Sequence, residues 1–187
     1  MPILPAEPSC FPEHLFDCVD DLPNQGDRYW RVLHTKPRQE KSLARQLRQG
    51  QVPFFLPLIS RRSLIRGRLL TSYIPLFAGY CFLLADEKER VKALATHRVV
   101  NALDVPDQKE LWHDLRQIRR LIESGVPITP EGQLVAGTLV EIRSGPLAGL
   151  SGVIVRQANQ RRFVVQVDFI HRGASVEVDD YMLAKAE

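Results

Sequence analysis

The stretch Pro75-Leu76-Phe77-Ala78-Gly79-Tyr80-Cys81-Phe82-Leu83-Leu84 reads as a turn followed by a β-strand with two apolar faces. Successive strand residues point to opposite sides, so Tyr80, Phe82 and Leu84 share one face, and Cys81, Leu83 and Ala85 share the other. A small antiparallel sheet usually leaves one face to water. This strand therefore needs a cover on both sides, and the segments around it must supply it.

Working outward, Tyr29-Trp30-Arg31-Val32-Leu33-His34-Thr35 reads as a second strand. The segment 37–50 reads as a helix, with Pro37 in its first turn and Gly50 at its end. Leu43, Ala44 and Leu47 form its apolar stripe, and Arg38, Lys41, Arg45 and Arg48 line an outer face. Residues 52–59 read as a strand entered through Pro53, and 61–77 as a hairpin turning at Arg66-Gly67. A second helix is expected over 87–95 with Val91 and Leu94 inward. A short strand follows over 99–105, and then a third helix from Asp107 through Ile122 with Leu111, Leu115, Ile118 and Ile122 as its stripe.

Residues 123–133 hold two Pro and two Gly and no periodic pattern, which suits a linker. Beyond it the period changes to two: Val140 and Ile142, then 152–155, 163–169 and 174–180, all separated by short turns. Such spacing suggests a small β-barrel. The expected class is α+β: an antiparallel sheet with flanking helices over 28–122, a flexible linker over 123–135 and a barrel over 136–187. Residues 1–27, with five prolines, are expected to be a flexible acidic tail.

Charge is uneven along this plan. Residues 1–27 carry six acids and no Lys or Arg, residues 28–122 carry 19 basic against 8 acidic residues, and residues 123–187 carry 6 against 8. A basic middle between acidic ends points to a polyanionic partner for the middle. Three cysteines without CxxC spacing argue for a reducing cytosol, with neither a disulfide framework nor a zinc site. The longest apolar run, Ile74 to Ala85, is interrupted by Pro75 and Gly79 and is too short to span a membrane. There is no secretory signal pattern. The five histidines are scattered, and neither a P-loop nor a GxGxxG is present, so no enzyme, cofactor or metal is expected.

The segment Ala136 to Val155 resembles the KOW motif: Gly137, the strand positions Val140 and Ile142, then Gly145-Pro146, Gly149 and Gly152. Upstream, an aromatic strand with Trp30, a basic helix, a hairpin and then Phe77-Ala78-Gly79-Tyr80 before an apolar strand resemble the N-terminal (NGN) domain of the NusG family of transcription elongation factors. That family typically has Pro where this chain has Ala78. The resemblance covers residues 28–187, and residues 66–82 look closer to specialised paralogues of the RfaH kind.

The resemblance implies a cytoplasmic monomer that binds the clamp helices of RNA polymerase through an apolar patch at Trp30, Phe77, Tyr80 and Phe82. Aromatic anchors suit this role because they bury large area at small entropic cost. It implies contact with non-template or upstream DNA at Lys36, Arg38, Lys41, Arg45, Gln46, Arg48, Gln49, Thr96 and Arg98. It implies that the KOW domain recruits Rho or a ribosomal small-subunit protein through Leu147, with Leu150 nearby; the housekeeping factor has an aromatic at the first position. Reduced pausing and modulated termination or antitermination follow from that resemblance. The rival reading is a ribosome- or RNA-binding KOW protein.

Overall fold

The computed structural model describes residues 8–17, 27–65, 67–133, 136–157, 160–178 and 183–185. The chain divides into two compact units, Met1–Gln108 and Lys109–Glu187.

The first unit is built on a five-stranded antiparallel sheet in the order β1-β3-β6-β2-β7. Its strands are β1 (Cys10–Phe11), β2 (Tyr29–Thr35), β3 (Phe54–Phe55), β6 (Tyr80–Ala85) and β7 (Val99–Asp104). The centre is the β2–β6 ladder, where Trp30 faces Leu84, Val32 faces Phe82 and His34 faces Tyr80. The alternation expected for residues 80–85 is observed. Cys81, Leu83 and Ala85 pack with Leu33, Phe54, Leu56 and the apolar stripe Leu43, Ala44 and Leu47 of helix α1 (Glu40–Gln49). The other face carries Trp30, Val32, Phe82 and Leu84, all buried. Full burial of side chains this size is worth about 1.5–3 kcal/mol each.

Part of the cover of that second face comes from residues expected to be a flexible tail. Leu15 and Phe16 are 3% and 5% exposed. Phe16 stacks on Trp30 at 5.8 Å between centroids and meets Phe55 edge-on at 5.0 Å. Cys10 and Phe11 pair with Phe55 and Phe54, adding a short edge strand. The expectation of a tail over 1–27 is therefore corrected at residues 8–17: Leu15 and Phe16 are buried and Phe11 half-buried, despite the surrounding prolines and acids. The remaining tail residues, except Asp27, lie outside the described residues.

Other expectations shift for local reasons. Helix α1 begins at Glu40 rather than Pro37, because Arg38 takes a left-handed φ of 61°. The strand expected over 52–59 splits into β3 and the start of β4 (Leu58–Ile65), since Pro57 between them has no N–H for a ladder. The hairpin is present, with β5 (Arg68–Pro75) pairing Ile65 with Arg68 around positions 66 and 67; Arg66 itself lies outside the described residues. Helix α2 (Glu87–Ala95) turns Ala93 inward and leaves Val91 55% exposed, which corrects the expected inward Val91. Asp86 and Glu89 form a reciprocal capping box at its start, and Arg28 donates two hydrogen bonds to Glu89 (2.8 and 2.6 Å). That carboxylate holds the Arg28 guanidinium above its ordinary pKa.

The second unit contains nearly all of α3 (Gln108–Glu123) and a six-stranded antiparallel sheet. The strands are β8 (Thr129–Glu131), β9 (Thr138–Ile142), β10 (Ser151–Gln157), β11 (Gln160–Val167), β12 (Arg172–Glu177) and β13 (Leu183–Lys185), in the order β13-β9-β10-β11-β12-β8. One expectation changes here. Residues 129–131, placed in the linker, form β8 and pair with Gly173–Ser175 of β12. Helix α3 reaches loops of the second unit's sheet: Arg120 donates to the carbonyls of Gly149 (3.0 Å) and Ala148 (2.9 Å), and the Asp168 N–H donates to Asp114 (3.2 Å). Charged side chains on its outer face reach loop carbonyls, which an apolar stripe does not reveal.

Gly152 shows why the turn pattern needs glycine. A Cβ there would lie 2.5 Å from the Val164 carbonyl oxygen and 2.8 Å from the Phe163 ring. Gly152→Ala is expected to destabilise the six-stranded sheet by about 1–3 kcal/mol, read as a lower urea midpoint for the unfolding of the second unit.

Candidate functional site

The turn at residues 77–80 is held from three directions. Gly79 adopts φ +85°, a region that costs a glycine little. Its N–H donates to Glu40 Oε1 at 2.8 Å, and its carbonyl accepts from the Thr35 N–H at 2.8 Å. The Tyr80 N–H donates to the Phe77 carbonyl at 3.1 Å. Glu40 is buried at the first turn of α1, so the helix that covers one face of the sheet also fixes the turn at its edge. Burial pushes the neighbouring Cys81 thiol up, with the Glu40 carboxylate adding to the effect.

This turn presents Tyr80 half-buried beside an exposed His34, with ring centroids 5.6 Å apart. The other three aromatic positions of the expected docking patch lie differently. Trp30, Phe77 and Phe82 are buried, and Phe77 meets Phe82 edge-on at 6.3 Å. Side chains sealed in this way offer a partner no surface in this conformation, so the exposed part of the patch is the Tyr80–His34 corner. The β2–β6 register sets His34 opposite Tyr80.

The expected nucleic-acid residues fall into two groups. In the first, the Lys36 N–H donates to the Arg98 carbonyl at 2.8 Å, and Arg98 reaches the Gln39 side chain, so the chain entering α1 and the chain leaving α2 lie side by side. Lys36 and Arg38 are exposed there. Thr96 closes the end of α2 by donating its hydroxyl to the Ala93 carbonyl at 2.7 Å, and its Oγ1 accepts from the Arg98 N–H at 3.3 Å. Arg38 and His97 hold left-handed φ values of 61° and 57°. Two non-glycine residues in this region next to each other in space are backbone conformations that surrounding structure must impose.

The second group lies along α1. Arg45, Arg48 and Gln49 are exposed, and Lys41 is half-buried. Gln46 is half-buried, and its side-chain oxygen is sealed with no hydrogen-bond partner among the described residues, so it is less open than its polar character suggests. In the second unit, Leu147 and Leu150 are both buried. The loop carrying them folds back on itself: the Gly149 N–H donates to the Ile142 carbonyl at 2.7 Å and the Leu150 N–H to the Leu147 carbonyl at 3.1 Å. Leu147 is thus not the exposed loop residue expected from sequence. Among the described residues no group of three or more His, Cys, Asp or Glu side chains is arranged to hold a metal ion.

Glu40→Ala leaves the Gly79 N–H without its acceptor and is expected to cost about 1–3 kcal/mol, measured by chemical denaturation of the full chain. Gly79→Ala forces a Cβ into the left-handed region and is expected to cost about 1 kcal/mol or more in the same measurement.

Among known proteins, a family model described as "Transcription termination factor nusG" matches residues 28–129, just over half of the chain. No curated protein matches the sequence. Among solved structures, one described as "Domain interaction in Thermotoga maritima NusG" shares 19% identity over 86% of this chain and 98% of that chain, with a TM-score of 0.48. One described as "Crystal Structure of MjSpt4:Spt5 complex conformation B" shares 15% identity over 83% of this chain and 95% of that chain, with a TM-score of 0.26. Among the described residues no helix is long and apolar enough to cross a membrane. The extent of the family match over the sheet, the helices and the 77–80 turn places this chain in the NusG family of transcription factors.

Proposed function

We propose that this protein is a transcription elongation factor that docks on the clamp helices of RNA polymerase through the Tyr80–His34 corner and lays its basic loops and α1 against upstream or non-template DNA. The observation that carries this reading is the NusG family match over residues 28–129, within which Tyr80 and His34 stand exposed or half-exposed at the same end of the β2–β6 ladder as the exposed Lys36. Tyr80 supplies apolar area and a hydroxyl, and His34 lies against its ring. Lys36, Arg38, Lys41, Arg45, Arg48 and Arg98 supply the cations that meet phosphate oxygens and displace bound counterions. Bridging the polymerase cleft in this way holds the clamp closed and steadies the upstream edge of the bubble, which shortens pauses.

The six-stranded sheet of the second unit fits the KOW domain inferred from Gly137, Gly145, Gly149 and Gly152, and its role in this reading is to recruit a second factor such as Rho or a ribosomal small-subunit protein. With Leu147 buried and Arg120 holding the 148–149 carbonyls, contact through Leu147 requires that loop to open.

Transcription through a template with a strong pause site tests the reading: added protein is expected to shorten the pause, and an unchanged pause lifetime and termination efficiency would sink it. Tyr80→Ala is expected to weaken binding to purified RNA polymerase by about tenfold, the loss of one interface anchor worth about 1.4 kcal/mol. Lys36→Ser with Arg38→Ser is expected to lower the slope of log affinity against log salt by about two for a bubble DNA, measured by fluorescence anisotropy, since each phosphate contact contributes roughly 0.9.

A further inference from the structure

Residues 8–17 precede the family-matched region and yet pack on its sheet, with Phe16 against Trp30 and Phe55 on the aromatic face and Phe11 against Phe54 on the side of α1. Two turns shape them: the Leu15 N–H donates to the Pro12 carbonyl at 3.0 Å and the Asp17 N–H to the His14 carbonyl at 3.1 Å. Among the contacts that join them to the sheet, two stand out. One is a strand of two residues, with Cys10 and Phe11 opposite Phe55 and Phe54, extended by the Leu56 N–H donating to the Ser9 carbonyl at 2.6 Å. The other is aromatic, with Phe11 stacked on Phe54 at 6.4 Å and Phe16 set between Trp30 and Phe55. A short edge strand with side-chain anchors in pockets is how extended peptides bind to sheet edges in general.

We propose that the outer edge of β3, with the pocket formed by Trp30 and Phe55, is a peptide-docking surface, and that residues 8–17 are its resident occupant: a mask that leaves when the aromatic face engages a partner. Charge supports the choice of occupant. Residues 8–17 carry two acids, Glu13 and Asp17, and no Lys or Arg, while residues 28–122 carry 19 basic against 8 acidic residues, so charge favours the segment on the domain it covers. Backbone pairing with β3 breaks at two residues, so the segment can lift away without unravelling the β3–β6–β2–β7 core, where Phe55 stays paired to Phe82. Lifting it uncovers Trp30 and Phe55 beside Phe82, a continuation of the aromatic surface toward the Tyr80 corner along the β2–β6 ladder.

The identity of the displacing partner rests on the polymerase reading above, and the test separates the two. Three proteins are compared: the full chain, the full chain carrying Phe16→Ser, and a chain lacking residues 1–17. Folding is checked by circular dichroism and by chemical denaturation. Binding to purified RNA polymerase is measured, and a labelled synthetic peptide of residues 8–17 is titrated onto the shortened chain. A mask closed nine-tenths of the time weakens docking about tenfold. Phe16→Ser and the shortened chain are therefore expected to bind polymerase about tenfold tighter than the full chain, and the peptide to bind the shortened chain and restore the weaker value. If both variants unfold, or if both stay folded and bind polymerase no tighter than the full chain, the segment is ordinary core and the proposal falls. If no form binds polymerase, the polymerase reading falls, and the peptide titration alone decides the docking surface: saturable binding upholds it and its absence overturns it.

Discussion

The β2–β6 ladder is the constraint from which the rest of the first unit follows. Two adjacent antiparallel strands carry Trp30, Val32, Phe82 and Leu84 toward one side and Leu33, Cys81 and Leu83 toward the other. A ladder with two apolar faces cannot stand at a solvent boundary, so other elements are recruited to cover it. Helix α1 packs its apolar stripe on the Leu33–Leu83 side. On the other side, Phe77 comes from the turn just ahead of the strand and Phe16 from far upstream. Because the faces alternate residue by residue, a one-residue slip in register would exchange the two sets, and neither cover would fit.

The same ladder locates the candidate site. At its end the chain must turn sharply at residues 77–80 before entering β6, and that turn is buttressed by a carboxylate from the covering helix. The link between Glu40 and Gly79 means that packing on one face is coupled to the placement of Tyr80 at the edge. The loops around Lys36 and Arg98 meet through a backbone hydrogen bond at that same end. The exposed Tyr80–His34 pair and the exposed Lys36 thus share one end of the β2–β6 ladder, where the strands give way to connections and side chains can face outward.

Residues that looked equivalent in sequence separate once packing is known. Trp30, Phe77, Tyr80 and Phe82 are all aromatic residues of the same neighbourhood, yet only Tyr80 retains exposure. Phe77 turns edge-on to Phe82 across the turn before β6, and Trp30 lies beneath Phe16 from the start of the chain. Likewise Leu147 sits in a loop whose glycines and proline suggest an exposed tip, but backbone hydrogen bonds from Gly149 to Ile142 and from Leu150 to Leu147 fold it inward. Polar positions behave the same way: Thr96 spends its hydroxyl on closing α2, and the Gln46 side-chain oxygen is sealed, whereas Lys36, Arg38 and Arg48 remain open.

The sequence by itself determined what short-range chemistry can carry. Alternation at residues 80–85, the apolar stripe of α1, the hairpin around positions 66–67 and the run of short strands after residue 136 are legible because each rests on spacing within a few residues, and the family resemblance rests on those same local patterns. Tertiary structure decided everything that depends on which distant segments meet. The start of the chain read as a tail because prolines and acids outnumber its apolar residues; Leu15 and Phe16 become core only because a pocket between Trp30 and Phe55 exists to receive them. Residues 129–131 read as linker because two prolines and a glycine flank or interrupt them; they become a strand because β12 offers an unpaired edge. The physical reason is common to both cases: a segment with weak local preference takes its conformation from the surface it buries, and that surface is assembled from parts of the chain that local pattern does not connect.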